Sequence, residues 1–217
     1  MKHPGNRRLG RSWLGLLRQR EGTVHDELGL ERLVFFSDAV FAIAITLLVL
    51  EIRLPAGADE QRISELSNQL LALWPRYFSY LISFVTIGGL WISHHRKFRY
   101  IRRYDQRLLW INLLALMFTA FLPFPTSILG EFGDTTPGAL FYILMVLPTG
   151  LLFTWLWAHA VRHGLIDPDL DRATIRRGTV RNLIQPVVFG LSIPLVFINP
   201  YLAEGFWALA FVLLLAL

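Results

Sequence analysis

The 217-residue chain is 54% hydrophobic and only 17% charged, with sixteen Phe, seven Trp and a formal charge of +5. A soluble domain carries about a quarter of its residues as charges, so this composition excludes one and points to an integral membrane protein. The absence of cysteine excludes a disulfide, a thiolate metal site and a cysteine nucleophile.

Residues 1–30 contain one short apolar run, Trp13–Leu17, with no small-residue cleavage site after it. That pattern does not fit a signal peptide, and the segment reads as a cytoplasmic arm ahead of a membrane domain over 31–217. Six apolar segments follow. They are Leu33–Ile52, Tyr77–Ser93, Leu108–Leu129 (interrupted by Pro123 and Pro125), Ala139–Val161 (with Pro148), Val180–Ile198 (with Pro186 and Pro194) and Tyr201–Leu217. Each approaches the roughly 20 residues that a helix needs to cross a bilayer. Prolines inside such helices are tolerated where neighbouring helices satisfy the freed backbone groups. The polar stretch Ala56–Asn68 reads as an external loop with a surface helix before the second segment. The expected fold is all-α, with six transmembrane helices.

Eighteen of the 21 Lys and Arg residues fall before segment one, between two and three, or between four and five. Only Arg53, Arg62 and Arg76 lie in the alternate loops. The positive-inside rule then places both termini in the cytoplasm of a multi-pass protein, and the basic clusters require no nucleic acid.

Segment one carries a problem. Asp38 lies within it, beside Ser37 and six residues after Arg32, and a carboxylate at a helix centre costs about 2.5–3.5 kcal/mol even on lenient insertion scales. On a helical projection, Phe36, Ile43, Leu47 and Leu50 form one stripe, and Asp38, Ala42, Ile45 and Val49 another. A spacing of six is too oblique for an Arg32–Asp38 intrahelical pair, so Asp38 needs partners on other helices or other subunits. Trp91, His94 and His95 end segment two at the same depth, and Trp110 and Asn112 open segment three. A network of Arg32, Ser37, Asp38, a histidine and an indole N–H would satisfy the carboxylate by charge-assisted bonds. Such a network either locks the bundle together or serves as a proton relay or ion site.

Arg32-x-x-x-Phe36-Ser37-Asp38 resembles the RxxxFSD motif of the transmembrane protein 175 family of potassium channels, in its prokaryotic form. The resemblance continues through AVFAIAITLLVLEI, GGLWISHHRKF and LALMFTAFLPFPTSIL, ending at Leu129. It implies a six-span subunit, a homotetramer and a central pore lined by the first helix. It also implies that Arg32, Phe36, Ser37, Asp38, Trp91 and His94 or His95 form the interhelical network holding that helix. The pore constriction carries over to Ile43, Leu47 and Leu50, with Thr46 as the nearest hydroxyl for potassium selection. No TVGYG-like filter or Gly-rich run is present to make a carbonyl filter.

The implied function is a potassium-permeable channel in the plasma membrane, with lipid and permeating K+ as its partners and no cofactor. The alternative is a proton-coupled transporter or a proton-conducting pathway through the Asp38 and histidine network. Alternating access usually rests on internal repeats, and none is evident here. No HExxH, GxSxG or P-loop occurs, so an enzyme is not expected. His159 and His163 have a zinc-compatible spacing but read as solvated interfacial histidines, and no metal site is assigned. Glu51 and Arg53 end the first segment as a weak cation-attracting vestibule or a solvated helix end. Trp74, Tyr77, Trp110, Trp157 and Trp207 read mostly as interfacial belt residues.

Overall fold

The computed structural model describes residues 28–53 and 63–216, with side chains described over 28–53 and 66–209. The arm expected over residues 1–30 lies outside the described residues up to residue 27, as do residues 54–62 of the loop expected over Ala56–Asn68. The described chain is helical almost throughout: α1 (Leu28–Glu51), α2 (Ile63–Ala72), α3 (Trp74–Phe98), α4 (Gln106–Phe121), α5 (Pro123–Phe132), α6 (Thr136–Arg162), α7 (Arg172–Ile198) and α8 (Pro200–Ala216).

Local chemistry sets these boundaries. Asp105, Thr135 and Asp171 accept hydrogen bonds from Leu108 N, Gly138 N and Thr174 N, satisfying orphan amides that open α4, α6 and α7. Pro123, which has no amide hydrogen, divides the third apolar segment into α4 and α5. Pro148, Pro186 and Pro194 lie inside α6 and α7, which run through them. Gly150 lets those two helices meet closely, since a Cβ there would stand 3.2 Å from Pro186 Cδ.

Among the described residues, four units are long and apolar enough to cross a membrane: α1, the α4–α5 pair (Gln106–Phe132), α6 and α7. The end of α2 with α3, bent by 44°, makes a fifth. Helix α8 has 17 residues, about 25 Å at 1.5 Å per residue and therefore short of a full hydrocarbon core.

The main core packs α6 against α4, α5 and α7, and α7 against α8. Tyr142, Phe189 and Trp207 meet at its centre, the last two stacked at 5.3 Å between centroids. Trp207 donates to Ser192 Oγ at 2.9 Å and Trp157 donates to Thr179 Oγ1 at 3.1 Å. Both indoles are buried, which corrects their reading as belt residues: a buried partner for the N–H lets the ring leave the interface. Trp74, Tyr77 and Trp110 are exposed.

The two ends of the bundle differ. At one end, an isolated antiparallel bridge pairs Ile101 with Ile166, and Arg102 reaches Asp167 at 3.0 Å. The α3–α4 and α6–α7 connections are thereby tied together, bringing two of the basic clusters to one end. At the other, Arg76 bonds the backbone oxygen of Arg53 at 3.0 Å and Glu131 Oε1 at 2.7 Å. A single guanidinium there links the close of α1 to α3 and α5, and Arg53 Nε turns back to Leu50 O.

Candidate functional site

Helix α1 is attached by one edge. Ser37, Phe41, Ala44 and Leu48 are buried, at spacings of four, three and four. Phe41, Ala44 and Leu48 join the main core, while Leu30, Leu33 and Val34 pack on a second cluster containing Ile101, Leu108 and Leu156. The remaining surface of α1 is largely uncovered in the single chain. Ile43, Leu47 and Leu50 are 58%, 40% and 56% exposed, Phe36 is 53% exposed, and Thr46 is exposed beside them. These side chains project about 90–170° around the helix from the centre of the buried edge. Ile45, on the other flank, is half-buried against the core. The sequence reading did not single out the buried edge, and Ala42 and Val49, which it placed with Ile45, are exposed.

Two hydrogen-bond systems hold this edge. In the first, the Trp91 indole N–H donates to Asp38 Oδ1 at 2.8 Å. Trp91 also lies against His95, with 5.7 Å between ring centroids. In the second, Ser37 Oγ donates to Leu33 O at 2.8 Å and accepts from Asn112 Nδ2 at 3.0 Å, while Asn112 Oδ1 lies 3.1 Å from His94 Nε2. The Asn112 amide donates to Ser37, so its oxygen is the acceptor and His94 must carry its hydrogen on Nε2. Ser37, His94 and Asn112 are all buried.

The two systems do not join: no direct hydrogen bond connects Asp38 with Ser37, Asn112 or His94. The second also passes through a carboxamide, which does not exchange protons as a carboxylate or imidazole does. This arrangement ties α1 to α3 and α4, and no continuous path of side-chain hydrogen bonds runs from Asp38 to His94.

The structure thus brings Ser37, Asp38, Trp91 and His94 to the edge of α1 and leaves His95 exposed. It does not bring Arg32 to Asp38. Arg32 is exposed and the Asp38 carboxylate only half-buried, so within one chain Arg32 stands outside the network expected around Asp38. Thr46 turns its hydroxyl back to Ile43 O at 2.9 Å, which leaves its oxygen lone pairs for another donor or a cation.

Two residues had been given other roles. Lys97, counted among the loop charges, is 4% exposed and donates to Phe153 O at 3.0 Å, because α3 continues past it. His159, expected to be solvated, is 5% exposed and lies 2.8 Å from Asp105 Oδ2, with its ring stacked on His163. Asp105 lies 54 residues earlier, so only the tertiary fold reveals the pair. Partial burial opposes ionisation of Asp105, but the Leu108 amide first and then His159 hold its carboxyl below the usual carboxylate range. Among the described residues, no group of three or more His, Cys, Asp or Glu is arranged to hold a metal.

Residues 32–123 match the protein family described as "Endosomal/lysosomal potassium channel TMEM175". The chain is 38% identical over 186 residues to a potassium channel of Streptomyces collinus, covering 82% of this chain and 89% of that one. It is 36% identical over 178 residues to a potassium channel of Chamaesiphon minutus, covering 80% and 87%. A rat protein named an endosomal/lysosomal proton channel, TMEM175, is 26% identical over 198 residues, covering 91% of this chain and 38% of that one. The crystal structure of a lysosomal potassium-selective channel TMEM175 homologue from Chamaesiphon minutus superposes with a TM-score of 0.77 at 35% identity, covering 87% of this chain and 97% of that one. The relatives are ion channels, not enzymes. With identity above a third across most of both bacterial chains, this chain belongs to the TMEM175 family.

Proposed function

We propose that this chain is a subunit of a potassium-permeable channel whose pore is lined by α1. One observation carries the reading: α1 is the most apolar of the four candidate spans, yet only 22% of its apolar window is buried, against 44–50% in the others. A helix held by one edge, with Ile43, Leu47 and Leu50 uncovered, suits an element completed by copies of itself. Four subunits of six spans each, with α8 as the sixth, would set four α1 helices around an axis. Both termini would face the cytoplasm of a plasma membrane, as the tying together of two basic clusters at one end supports. Potassium-channel names among bacterial relatives sharing most of this chain's length support potassium as the permeating ion.

In this reading Ile43, Leu47 and Leu50 form an apolar constriction that gates by dewetting, and Thr46 supplies the nearest hydroxyl to ions beside it. Ser37, Asp38, Trp91 and His94 hold α1 in its rotational setting. Arg32, Phe36 and His95, uncovered in one subunit, complete the anchorage against neighbouring subunits. The channel uses no cofactor; its partners are lipid, K+ and its own copies. A second reading, proton conduction, is favoured by the name of the rat relative. The separation of Asp38 from His94 weighs against a relay through side chains, so protons would pass along pore water.

Planar-bilayer recording of the purified protein in potassium, sodium and proton gradients tests the proposal. Unitary currents reversing near the potassium equilibrium potential are expected. Flux at carrier rates without unitary steps would overturn it, and reversal at the proton potential would select the second reading.

A further inference from the structure

Away from α1, a cavity of about 500 Å³ opens between α3 and α7, with Trp157 of α6 among its walls. Its volume lies in the range of roughly 300–1,000 Å³ usual for small-molecule sites. One part is cationic: Arg96, Lys97, Arg177 and Arg181 line it, and among the described residues no Asp or Glu does. Another part is apolar, walled by Phe84, Val85 and Ile92 beside Gly88 and Gly89. Phe84 and Ile92 are 41% and 43% exposed, so this part opens onto the outer surface of the bundle.

Two buried donors at the cationic part, Arg181 Nε and Asn182 Nδ2, have no partner among the described residues, and nor does Gln185 Nε2 just inside it. Asn182 and Gln185 are each 8% exposed. A narrow void lined by Lys97, Arg181 and Asn182 continues inward to Gln185. Buried polar groups in folded proteins are normally paired. Here the missing partner is an acceptor, and the surrounding positive charge favours an anionic one. At the apolar part, a Cβ built on Gly88 meets nothing within 4 Å, leaving room for a hydrocarbon chain beside the helix.

We propose that this crevice binds an anionic phospholipid, its phosphate held by Arg177, Arg181 and the Asn182 amide and its acyl chain lying along Gly88 and Ile92. Guanidinium groups match phosphate geometry with paired N–H donors. Basic pockets between membrane helices are established seats for anionic headgroups. A free phosphate ion would satisfy the donors but leave the apolar wall bare. The inference rests on the membrane-spanning character of the helices and is independent of conduction.

The test measures binding and thermal stability of the full chain in detergent micelles, with added phosphatidylglycerol, phosphatidylcholine or inorganic phosphate. Phosphatidylglycerol is expected to raise the melting temperature, and the other two are not. Arg181→Gln should weaken the apparent affinity for phosphatidylglycerol about fivefold. Gly88→Leu should reduce the stabilisation while keeping every charge. Arg176→Gln removes the same charge from an exposed position on α7 outside the crevice and should leave the response intact. If Arg181→Gln misfolds, Gly88→Leu still decides. Equal stabilisation by phosphatidylcholine overturns the proposal, as does an unchanged response in Gly88→Leu. Stabilisation by inorganic phosphate equal to that by the lipid would show an anion site alone, and also overturns it.

Discussion

Replacing Asn112 with Leu tests how α1 is held. Asn112 is 1% exposed and joins two helices to α1, donating to Ser37 Oγ at 3.0 Å and accepting from His94 Nε2 at 3.1 Å. Leucine has the same number and branching of heavy side-chain atoms, so no cavity arises, but both bonds vanish together. The His94 N–H loses its acceptor, while Ser37 keeps its own bond to Leu33 O. A buried donor left unmade costs about 1–3 kcal/mol, and a lost net hydrogen bond about 0.5–1.5. Interhelical bonds in membrane proteins average nearer 0.6 kcal/mol, so a loss of about 1.5–3 kcal/mol is expected. Asn112→Asp is the informative companion: it retains an acceptor for His94 but removes the amide donor to Ser37. The assay is the thermal midpoint in detergent, followed by current after reconstitution. Both should fall for Asn112→Leu, with Asn112→Asp different in size. An Asn112→Leu variant of unchanged stability and current would refute the role assigned to this network.

Four further outcomes are expected. Asp38→Ala removes one charge-assisted bond from Trp91, and with no ion pair to Arg32 its stability cost should be about 1.5–3 kcal/mol by chemical or thermal unfolding; a cost near 5 would reveal a buried charge partner. Ile43→Asn should raise conductance and weaken discrimination against sodium because water then accompanies the ion, whereas Ile45→Asn should lower yield without opening the pore; equal gains in current would show the helical phase to be wrong. Asp105, whose folded pKa is depressed, contributes stability above its unfolded pKa of about 3.9 that is lost as pH falls through the folded value; Asp105→Asn, which keeps a capping oxygen for Leu108, should flatten the acid limb of the stability profile, and an unchanged limb would contradict the assignment. Mass measurement of conducting particles should give four subunits, and a conducting monomer would sink the pore proposal.

Segment periodicity and charge placement made the helices legible, because burial in lipid demands long apolar runs and leaves cations at one end. The apolar stripe through Ile43, Leu47 and Leu50 was visible for the same reason. The edge that holds α1 was not. Ser37, Phe41, Ala44 and Leu48 differ little in polarity from their neighbours in an apolar helix, so hydropathy does not mark which face is packed. Trp91 and one of His94 and His95 were legible as partners from their depth, but which histidine serves, and the division into two separate systems, depend on where Asn112 falls relative to Ser37. Lys97 reads as a loop charge in the sequence because a lysine near a segment end usually reaches water. Its partner, the Phe153 carbonyl, leaves no trace in the sequence. Asp105 and His159 share that difficulty across 54 residues.

The absence of cysteine from the chain permits the most direct test, in which a single cysteine is walked along α1 and channel current is recorded before and after a water-soluble cationic thiol reagent. Cysteine at 43, 47 or 50 is predicted to make the current sensitive to block, and cysteine at 41, 44 or 48 to leave it unaffected. Block from the buried edge with no block from 43, 47 and 50 would contradict a pore lined by this face of α1.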